Sequence, residues 1–344
     1  MPAITPSSLD RALDALPRLH LAHLPTPLVK YPALDARLGC DVWVKRDDMD
    51  GGAEAGNKLR KLELLLARAL HDGADTVLTC GGVQSNHARA TALVCARLGL
   101  RSVLFLRMRS STELLPDGGN VLLDRLAGAE IRRITAEQYR DRDALMADAA
   151  RALARHGARP FIVPEGGSNG LGALGYVRAM REVKEQLSLG LAGGKPFDAV
   201  VHACGSGGTA AGVALGAKAY GVAERAIAMA VCDDEAHFRL RIDAIMADAR
   251  RLVPELPADA PFEVDDRARG PAYAVASAQQ RRLLIDVARS TGLVFDPVYT
   301  GKALHGLALA RARNDVPLGA RVLLLHTGGL PGLLAQAEEL LQDL

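Results

Sequence analysis

The stretch AVVHACGSGGTAAG, residues 199–212, decides the fold, because it predicts a buried strand, a glycine-rich loop and a helix in immediate succession. Its loop, Gly205–Thr209, consists of small residues, so that backbone N–H groups can close on an anion at the positive end of the following helix. A strand, loop and helix of this kind form the repeating unit of an open α/β sheet. The stretch therefore predicts an α/β protein that binds a phosphate group.

Two other interpretations of this loop stay open at this point. The glycines can serve a purely structural turn. The loop also matches a degenerate dinucleotide fingerprint, with Gly205, Gly207 and Ala210 at the three small positions and Asp233 or Asp234 where a ribose-binding acid would lie. An NAD-dependent oxidoreductase is thus a competing hypothesis. A Walker-type nucleotide loop is disfavoured, because no Gly-Lys-Ser/Thr follows.

Outward from this stretch, short apolar runs alternate with longer helical patterns along the chain. The predicted strands are Asp41–Lys45, Asp75–Cys80, Ser102–Leu106, Glu130–Thr135, Pro160–Pro164, Asp198–Cys204, Ala226–Cys232, Phe262–Val264 and Arg321–His326. Predicted helices between them include Asn57–His71, Asn86–Leu98, Leu171–Leu187, Thr209–Tyr220, Gln279–Ser290 and Leu333–Leu341. This alternation predicts βαβ units that form a mainly parallel sheet with helices on both faces. We expect a smaller domain at residues 55–165, inserted in a larger one formed by residues 1–54 and 166–344.

Composition narrows the class of protein. The chain has 344 residues and a formal net charge of +2, so it lacks the basic footprint of a nucleic-acid-binding protein. No apolar run approaches the ~20 residues of a membrane span, and residues 1–19 lack the apolar core of a signal peptide. The five cysteines form no CxxC pair, and no His/Cys spacing suits a metal. We expect a cytoplasmic enzyme without a metal, a membrane or a nucleic acid as partner.

A cluster of cations occupies the start of a predicted helix in EAGNKLRKLELLLARAL, residues 54–70. Lys58, Arg60 and Lys61 fall in the first turn, where the helix dipole disfavours positive charge by roughly 0.3–1 kcal/mol each. Most lysines are simply solvated, and Lys58 can be one of these. The helix terminus and a neighbouring cation would, however, lower the pKa of Lys58. A lysine that reacts as a free amine gains from that effect, which makes Lys58 a candidate catalytic residue.

Four glycine-rich loops follow predicted strands, at the edge where open α/β folds bind ligands. They are CGGVQSNHA (80–88), PEGGSNGLGALGY (164–176), ACGSGGTAAG (203–212) and HTGGLPG (326–332). One loop of this kind is common, whereas four indicate several backbone contacts around one anionic ligand.

The second helix start carries Gln84-Ser85-Asn86, which offers amide and hydroxyl groups. An ordinary N-cap by Ser85 or Asn86 explains it in isolation. The functional interpretation is a binding site for a substrate carboxylate, with a further hydrogen bond to a cofactor. His87 is expected to be a neighbour rather than a catalyst.

Tyrosines near the chain's C-terminal third are a further candidate pair. Aromatic residues make up only 4% of the chain, yet Tyr299 stands beside a predicted Gly301-Lys302 turn. Core packing is the ordinary role of an isolated tyrosine. Tyr273 and Tyr299 are candidate site residues only because of the loops around them. His202 and His326, inside or ending apolar strands, are expected to belong to the core.

Together these segments resemble the β-family (fold type II) of pyridoxal-phosphate enzymes, and more narrowly the branch of D-cysteine desulfhydrase and 1-aminocyclopropane-1-carboxylate (ACC) deaminase. Eight segments carry the resemblance in the same order: LAHLPTPL (21–28), VKRDD (44–48), GNKLRKLE (56–63), QSNHARATA (84–92), EGGSNGLGALGYV (165–177), GSGGTAAG (205–212), DPVYTGKAL (296–304) and HTGGLPGL (326–333). The resemblance implies two doubly wound open parallel-sheet domains and pyridoxal 5′-phosphate as the cofactor.

The resemblance also implies roles for individual residues. Lys58 corresponds to the lysine that holds the cofactor covalently. The catalytic set would be Lys58, Ser85, Tyr273 and Tyr299; the cofactor would contact Lys58, Asn86, Gly205, Ser206, Gly207, Gly208, Thr209, Tyr299 and Thr327; the substrate would contact Gln84, Ser85, Asn86, Thr300 and Thr327. Asn86 would bind the pyridine 3′-oxygen, and Gly205–Thr209 would surround the phosphate.

Two positions separate the members of this branch. ACC deaminases carry a glutamate after the second tyrosine and a leucine in the last glycine loop, where this chain has Thr300 and Thr327. Opening a cyclopropane offers no good leaving group, so the cofactor must be a strong electron sink whose protonated ring nitrogen a carboxylate sustains. Loss of a thiol is easier, because the pKa of a free thiol is about 8.5, and a neutral hydroxyl then suffices.

These residues predict a lyase that acts on a small amino-acid substrate, D-cysteine, and releases pyruvate, hydrogen sulfide and ammonia. The alternatives are an ACC deaminase, an L-cysteate sulfo-lyase of the same branch, an NAD-dependent oxidoreductase and a catalytically silent binding protein. A homodimer is what the resemblance implies. The sequence does not determine the handedness of the substrate.

Overall fold

The computed structural model describes residues 7–108, 110, 112–317 and 319–344. Ten strands are present in these residues: β1 (Leu28–Lys30), β2 (Asp41–Arg46), β3 (Thr76–Gly82), β4 (Arg101–Arg107), β5 (Glu130–Ile134), β6 (Pro160–Ile162), β7 (Phe197–Cys204), β8 (Ala223–Ala230), β9 (Glu263–Asp265) and β10 (Arg321–His326). No helix within the described part of the chain is both long enough and apolar enough to cross a membrane.

Fourteen α-helices connect and cover these strands within the same residues. They are α1 (Ser8–Asp14), α2 (Pro32–Leu38), α3 (Lys58–His71), α4 (Asn86–Arg97), α5 (Gly119–Leu126), α6 (Ala136–Arg140), α7 (Arg142–Arg155), α8 (Gly170–Ser188), α9 (Gly208–Tyr220), α10 (Glu235–Leu252), α11 (Ala278–Thr291), α12 (Thr300–Ala312), α13 (Leu330–Leu334) and α14 (Ala337–Leu341). Short 3-10 turns occur at Asp47–Met49, Glu165–Gly167 and Leu191–Gly194.

The strands form two separate sheets. The six-stranded sheet has the order β1-β2-β10-β7-β8-β9 and is parallel except for β1, which pairs antiparallel with β2. The four-stranded sheet has the order β5-β4-β3-β6 and is parallel throughout. The predicted α/β class with two open parallel sheets is therefore confirmed. The strands of the smaller sheet fall inside the predicted 55–165 domain, whose boundaries stay a prediction.

Helices cover both faces of the larger sheet. Helices α8, α9 and α10 pack on one face, in a core that includes Tyr176, Phe197 and Phe238. Helices α2, α11 and α12 pack on the other face, around Leu304 and Phe295. Burying apolar side chains on both faces explains why β7 and β10 are continuous apolar runs rather than alternating ones.

Helix α3 connects the two sheets. Its apolar residues Leu59, Leu62 and Leu66 belong to the core of the smaller sheet, while Leu64 joins the core of the larger one. The helix also crosses α8 closely: a Cβ at Gly175 would lie 2.2 Å from the carbonyl oxygen of Arg60. Contact on all sides holds the first turn of α3 at a fixed position between the sheets.

Several predicted elements differ from the structure. Gly301 and Lys302 lie inside helix α12 rather than in a turn, because the Asp296 carboxylate accepts hydrogen bonds from the first N–H groups of that helix and starts it at Thr300. The last predicted helix is divided into α13 and α14. Helix α10, with 18 residues, was not among the predicted elements. Its signals were present, since Asp234 caps it and its buried residues recur at helical spacing.

Candidate active site

A cavity of about 490 Å³ opens between the two sheets, at the carboxyl ends of their strands. Ten of the predicted site residues line it: Lys58, Ser85, Asn86, Gly205, Ser206, Gly207, Thr209, Tyr273, Tyr299 and Thr327. Three others, Gln84, Gly208 and Thr300, are not among the lining residues. The glycine-rich loops predicted to surround one ligand thus meet at one place.

Lys58 is the first residue of helix α3, and backbone contacts set its position. Gly56 has φ +128°, a conformation that favours glycine, and a Cβ there would lie 2.8 Å from the carbonyl oxygen of Thr327. The same carbonyl accepts a hydrogen bond of 3.2 Å from the N–H of Asn57. The Asn57 side chain does not cap the helix and instead donates to Thr209 Oγ1 at 3.1 Å. Lys58 is therefore held between the last glycine loop and the start of α9.

Burial lowers the pKa of Lys58 to about 8, and the carboxylate of Glu165 opposes that shift. The neighbouring cations predicted to cause the shift do not do so. The guanidinium of Arg60 is directed away from the cavity toward carboxylates. Burial, and secondarily the charge of Lys58, push the pKa of Lys61 well below its usual range. The sequence thus predicted the direction of the shift, but the cause is desolvation.

The remaining cations of this turn have structural roles. Arg60 donates to Asp47 at 2.8 and 2.9 Å and to both oxygens of Glu182 at 3.0 Å. Lys45 also pairs with Glu182, and the Tyr176 hydroxyl donates to Asp47 at 2.6 Å. We call these five residues, all buried, the Arg60 cluster. The two cations and the two carboxylates of the cluster compensate one another. Arg60 is therefore stabilised at the start of α3 by ion pairs, despite the unfavourable helix dipole, and needs no catalytic role to explain its presence.

The loop before α9 is supported from behind by a second glycine loop. Ser206 Oγ lies 2.8 Å from Ser168 Oγ, which in turn accepts a hydrogen bond of 3.2 Å from the N–H of Gly208. Lys61 Nζ donates to the carbonyl of Gly166 at 3.1 Å. These contacts fix Gly205–Thr209 at the positive end of α9, where a phosphate group is favoured. Gly208 contributes through its backbone, behind the cavity wall.

At the start of α4, three adjacent residues do different things. Ser85 caps the helix by accepting a hydrogen bond of 3.2 Å from the N–H of Ala88. Asn86 is buried, and its Oδ1 has no hydrogen-bond partner in the protein. Gln84 is directed away from the cavity, because its amide donates to the Gly118 carbonyl at 3.1 Å and accepts from the N–H of Asn120 at 2.7 Å. Its predicted contact with the substrate has no support in this conformation.

The two tyrosines form a pair across the cavity. Their hydroxyl oxygens lie 2.6 Å apart, and their rings meet edge to face with 72° between the planes. Burial raises the pKa of Tyr273 to about 12 and holds the pKa of Tyr299 well above its usual value, so both are protonated at neutral pH. The ring of Tyr299 lies against Gly205, where a Cβ would be 3.0 Å from Cε1. The carboxylate of Asp296 fixes this ring by accepting the N–H of Tyr299 at 2.7 Å.

Thr300 and Thr327 form a hydroxyl pair at the end of the cavity nearest the last glycine loop. Their Oγ1 atoms lie 3.0 Å apart, and both residues are buried. Only Thr327 lines the cavity, with Thr300 directly behind it. A group that reaches this wall therefore meets a neutral hydroxyl, which a second hydroxyl orients.

Sequence reasoning missed several residues of the cavity wall. His237 and Arg241 come from α10, which was not predicted, and Arg241 lies beside Gly207. Arg107 is the last residue of β4, and the apolar pattern of that strand gave no indication of a charged residue in the cavity wall. Counting all lining residues, five are basic and two are acidic: Lys58, Arg107, Arg140, Arg142 and Arg241 against Glu165 and Asp233.

The residues present fit pyridoxal phosphate. The excess of basic side chains and the glycine loop suit its dianionic phosphate. The unpaired Asn86 Oδ1 suits a polar ring substituent, and the Tyr299 ring on the cavity wall suits contact with a flat ring. Lys58, with its pKa of about 8, suits covalent attachment to an aldehyde.

Comparison with known proteins agrees with this geometry. Residues 19–328 match the family described as pyridoxal-phosphate dependent enzyme. The chain belongs to this family. Pyridoxal phosphate is accordingly its cofactor, and the dinucleotide interpretation of the Gly205–Thr209 loop is set aside.

Individual relatives narrow the branch. The mitochondrial bifunctional D-cysteine desulfhydrase/1-aminocyclopropane-1-carboxylate deaminase of Arabidopsis thaliana is 38% identical, over 98% of this chain and 84% of its own length. The D-cysteine desulfhydrase of Serratia proteamaculans is 38% identical, over 95% of this chain and 98% of its own. A crystal structure described as an ACC deaminase homologue superposes with a TM-score of 0.89 at 34% identity, covering 99% of this chain and 100% of its own. The chain is thus a pyridoxal-phosphate-dependent lyase of the D-cysteine desulfhydrase and ACC deaminase branch.

Proposed function

We propose that the protein eliminates hydrogen sulfide from D-cysteine, giving pyruvate and ammonia. The observation that carries this proposal is the hydroxyl pair of Thr300 and Thr327, with 3.0 Å between its oxygens. The family resemblance implies that these residues would hold the ring nitrogen of the cofactor. A hydroxyl neither adds charge there nor keeps the ring nitrogen protonated, as a carboxylate would. That environment suits a substrate with a good leaving group.

Pyridoxal phosphate, when bound, accepts the electron pair released as the Cα proton leaves. The chain's own residues position the substrate and move the proton. The start of α4, with the Ser85 hydroxyl and the backbone N–H of Asn86 as donors, holds the substrate carboxylate. Lys58, which carries the cofactor between turnovers, takes the Cα proton once it is released as a free amine; a pKa of about 8 keeps it competent near neutral pH.

The tyrosine pair acts on the leaving group of the substrate. With a pKa of about 12, Tyr273 is a hydrogen-bond donor at neutral pH. Its hydroxyl is hydrogen-bonded to the hydroxyl of Tyr299, with 2.6 Å between the two oxygens. A neutral donor stabilises charge that develops on the departing sulfur. The carbon–sulfur bond breaks with its electron pair on sulfur, and the 2-aminoacrylate product takes up water and loses ammonia to give pyruvate.

The test is release of sulfide and 2-oxo acid by the purified holoenzyme with D-cysteine, L-cysteine, L-cysteate and ACC under one condition. Pyruvate and sulfide in equal amounts from D-cysteine are the expected result. Formation of 2-oxobutyrate from ACC, or sulfite from L-cysteate, at the higher rate would overturn the assignment to D-cysteine and leave the cofactor site unaffected.

The hydroxyl pair has its own test. Replacing Thr300 by Glu and Thr327 by Leu together is expected to lower sulfide release at least about tenfold, because a buried carboxylate changes the protonation of the ring nitrogen. The matched control replaces both threonines by serine, which keeps both hydroxyls, and is expected to retain most of the activity. Equal rates in the two double variants would show that the hydroxyls do not set the reaction.

We further propose that the enzyme is a homodimer, as the resemblance to the family implies, and that it is cytoplasmic, as its five cysteines without a CxxC pair indicate. Sedimentation equilibrium of the holoenzyme measures its oligomeric state, and a mass near that of one 36.4 kDa chain would contradict the dimer.

A further inference from the structure

Arg107 lies on the cavity wall in an arrangement that elimination from cysteine alone does not require. It ends strand β4, is half-buried and lines the cavity. Its guanidinium carbon lies 4.8 Å from the ring centre of Tyr139 and 5.3 Å from that of Tyr273. Two aromatic rings thus hold the flat guanidinium group in one orientation, which reduces the entropy lost on binding a ligand.

The charge of Arg107 has no counter-ion among the residues that the structure describes. Within the described residues, no carboxylate lies at ion-pair distance from its guanidinium, which also makes no hydrogen bond to the protein. The nearby carboxylate of Glu165 is already occupied, since Arg142 pairs with it at 3.0 Å and the Tyr139 hydroxyl donates to it at 2.5 Å. A half-buried cation that keeps its donors unpaired is suited to an anionic ligand.

The sheet places Arg107 beside the expected substrate. In the register of the smaller sheet, Arg107 is the partner of Gly82, which precedes the loop that carries Ser85. Tyr273, which contacts Arg107, also lies against Gly82 and reaches Tyr299 with its hydroxyl. In the proposed function the start of α4 binds the α-carboxylate of the substrate. The substrate group that remains available to Arg107 is therefore the substituent on the β-carbon.

We propose that Arg107 binds an anionic β-substituent of the substrate and thereby sets the substrate class. This proposal rests on the proposed lyase function, and it extends it to amino acids whose β-substituent carries negative charge as a thiolate, a sulfonate or a carboxylate. A bidentate guanidinium favours a planar or multi-oxygen anion over a single sulfur. D-Cysteine is bound in this way as its thiolate. The Tyr273 hydroxyl, which lies beside Arg107, gives a proton to the sulfur as the carbon–sulfur bond breaks, so that hydrosulfide leaves, and Tyr273 regains a proton from water.

The experiment uses two unreactive amino acids that differ only in charge. Aspartate and asparagine have the same shape, and neither carries a good leaving group. Their dissociation constants are measured for the holoenzyme from the change in cofactor absorbance, with the D-forms and the L-forms in separate titrations. Wild-type enzyme is expected to bind aspartate at least about tenfold more tightly than asparagine, as befits a charge-assisted hydrogen bond.

Variants identify the residue responsible. Arg107→Gln is expected to abolish the preference, and Arg107→Lys to retain part of it. Arg132→Gln is the matched control, because Arg132 stacks on Phe105 in the neighbouring strand but pairs with Glu130 away from the cavity; it should retain the full preference. Absence of a preference in wild-type enzyme, or its persistence in Arg107→Gln, would overturn the proposal.

The wild-type comparison needs no variant, so it stands even where Arg107→Gln fails to fold. It is also independent of the proposed reaction. A preference for aspartate without sulfide release from D-cysteine would overturn the proposed function and leave the role of Arg107 standing. Sulfide release without that preference would overturn the role of Arg107 alone.

Discussion

The Arg60 cluster and the cavity beside Lys58 both begin at the first turn of α3, and they differ in how their charges are compensated. In the cluster, every charged group has a partner: Arg60 contacts two carboxylates and Lys45 contacts one of them. In the cavity, Lys58 has no ion pair among the described residues, and neither does Arg107. The first region is complete as folded, whereas the second is completed by the anionic groups of its ligands.

Lys58 and Arg60, two positions apart in the sequence, thus have different roles: Arg60 stabilises the fold and Lys58 serves the function. Cations of the same charge and nearly the same helical position hold the fold in one case and hold a ligand in the other. Removing a member of the cluster should therefore change folding, and removing a member of the cavity should change catalysis. The predictions below test that separation.

The largest effect is expected for Lys58→Ala. Without its amine, the cavity loses both the covalent link to the cofactor and the proton acceptor, so turnover should fall about 10³-fold or more. The measurement is sulfide release together with the absorbance of bound cofactor. Lys184→Ala, at an exposed position of α8, is the control and should behave as wild type. Turnover within tenfold of wild type in Lys58→Ala would refute its catalytic role.

Arg60→Met should affect folding instead. The change leaves two buried carboxylates short of a partner, which costs roughly 3–5 kcal/mol in the free energy of unfolding. Urea denaturation measures this loss. The control is Arg68→Ala on the same helix, where an exposed pair with Asp72 contributes roughly 0.5 kcal/mol or less. Equal losses in the two variants would show that the cluster is not the stabilising feature described.

A smaller effect should appear in the pH dependence of cofactor uptake. Because burial lowers the pKa of Lys58 to about 8, the free amine predominates above that pH and falls to about one hundredth at pH 6. Covalent uptake of pyridoxal phosphate by apoenzyme should therefore slow about a hundredfold between pH 9 and pH 6. Stopped-flow absorbance measures the rate. A midpoint near pH 10.5, the ordinary lysine value, would show that the cavity does not desolvate Lys58.

Local sequence signals were enough to predict a mainly parallel α/β fold and the place of Lys58 at a helix start, whereas the two doubly wound sheets followed from the family resemblance. Strands, glycine loops and helix starts are encoded by neighbouring residues, and the loops gather because parallel strands end at one edge. The predicted residues Gly205–Thr209 and Thr327 accordingly lie around one cavity or directly behind its wall.

Long-range partners could not be predicted in the same way. Arg60 meets Asp47 and Glu182, which are 13 and 122 residues distant, so nothing near Arg60 in sequence indicates its ion pairs. Gln84 is turned aside by Asn120, 36 residues further on. Arg107 ends a buried strand, and only the register with Gly82 shows that it reaches the substrate side. Each of these outcomes depends on tertiary packing rather than on local pattern.

The contact of Gly56 with the Thr327 carbonyl has a consequence for how this enzyme can change. Because a backbone hydrogen bond and a close backbone approach join the lysine-bearing segment to the last glycine loop, replacing a side chain elsewhere on the cavity wall leaves this link between Lys58 and Thr327 in place. Arg107 has no part in this link, although its stacking on Tyr273 connects it to the tyrosine pair. Replacement of Arg107 is therefore expected to change the substrate preference and the tyrosine pair, while the link between Lys58 and the threonine pair stays in place.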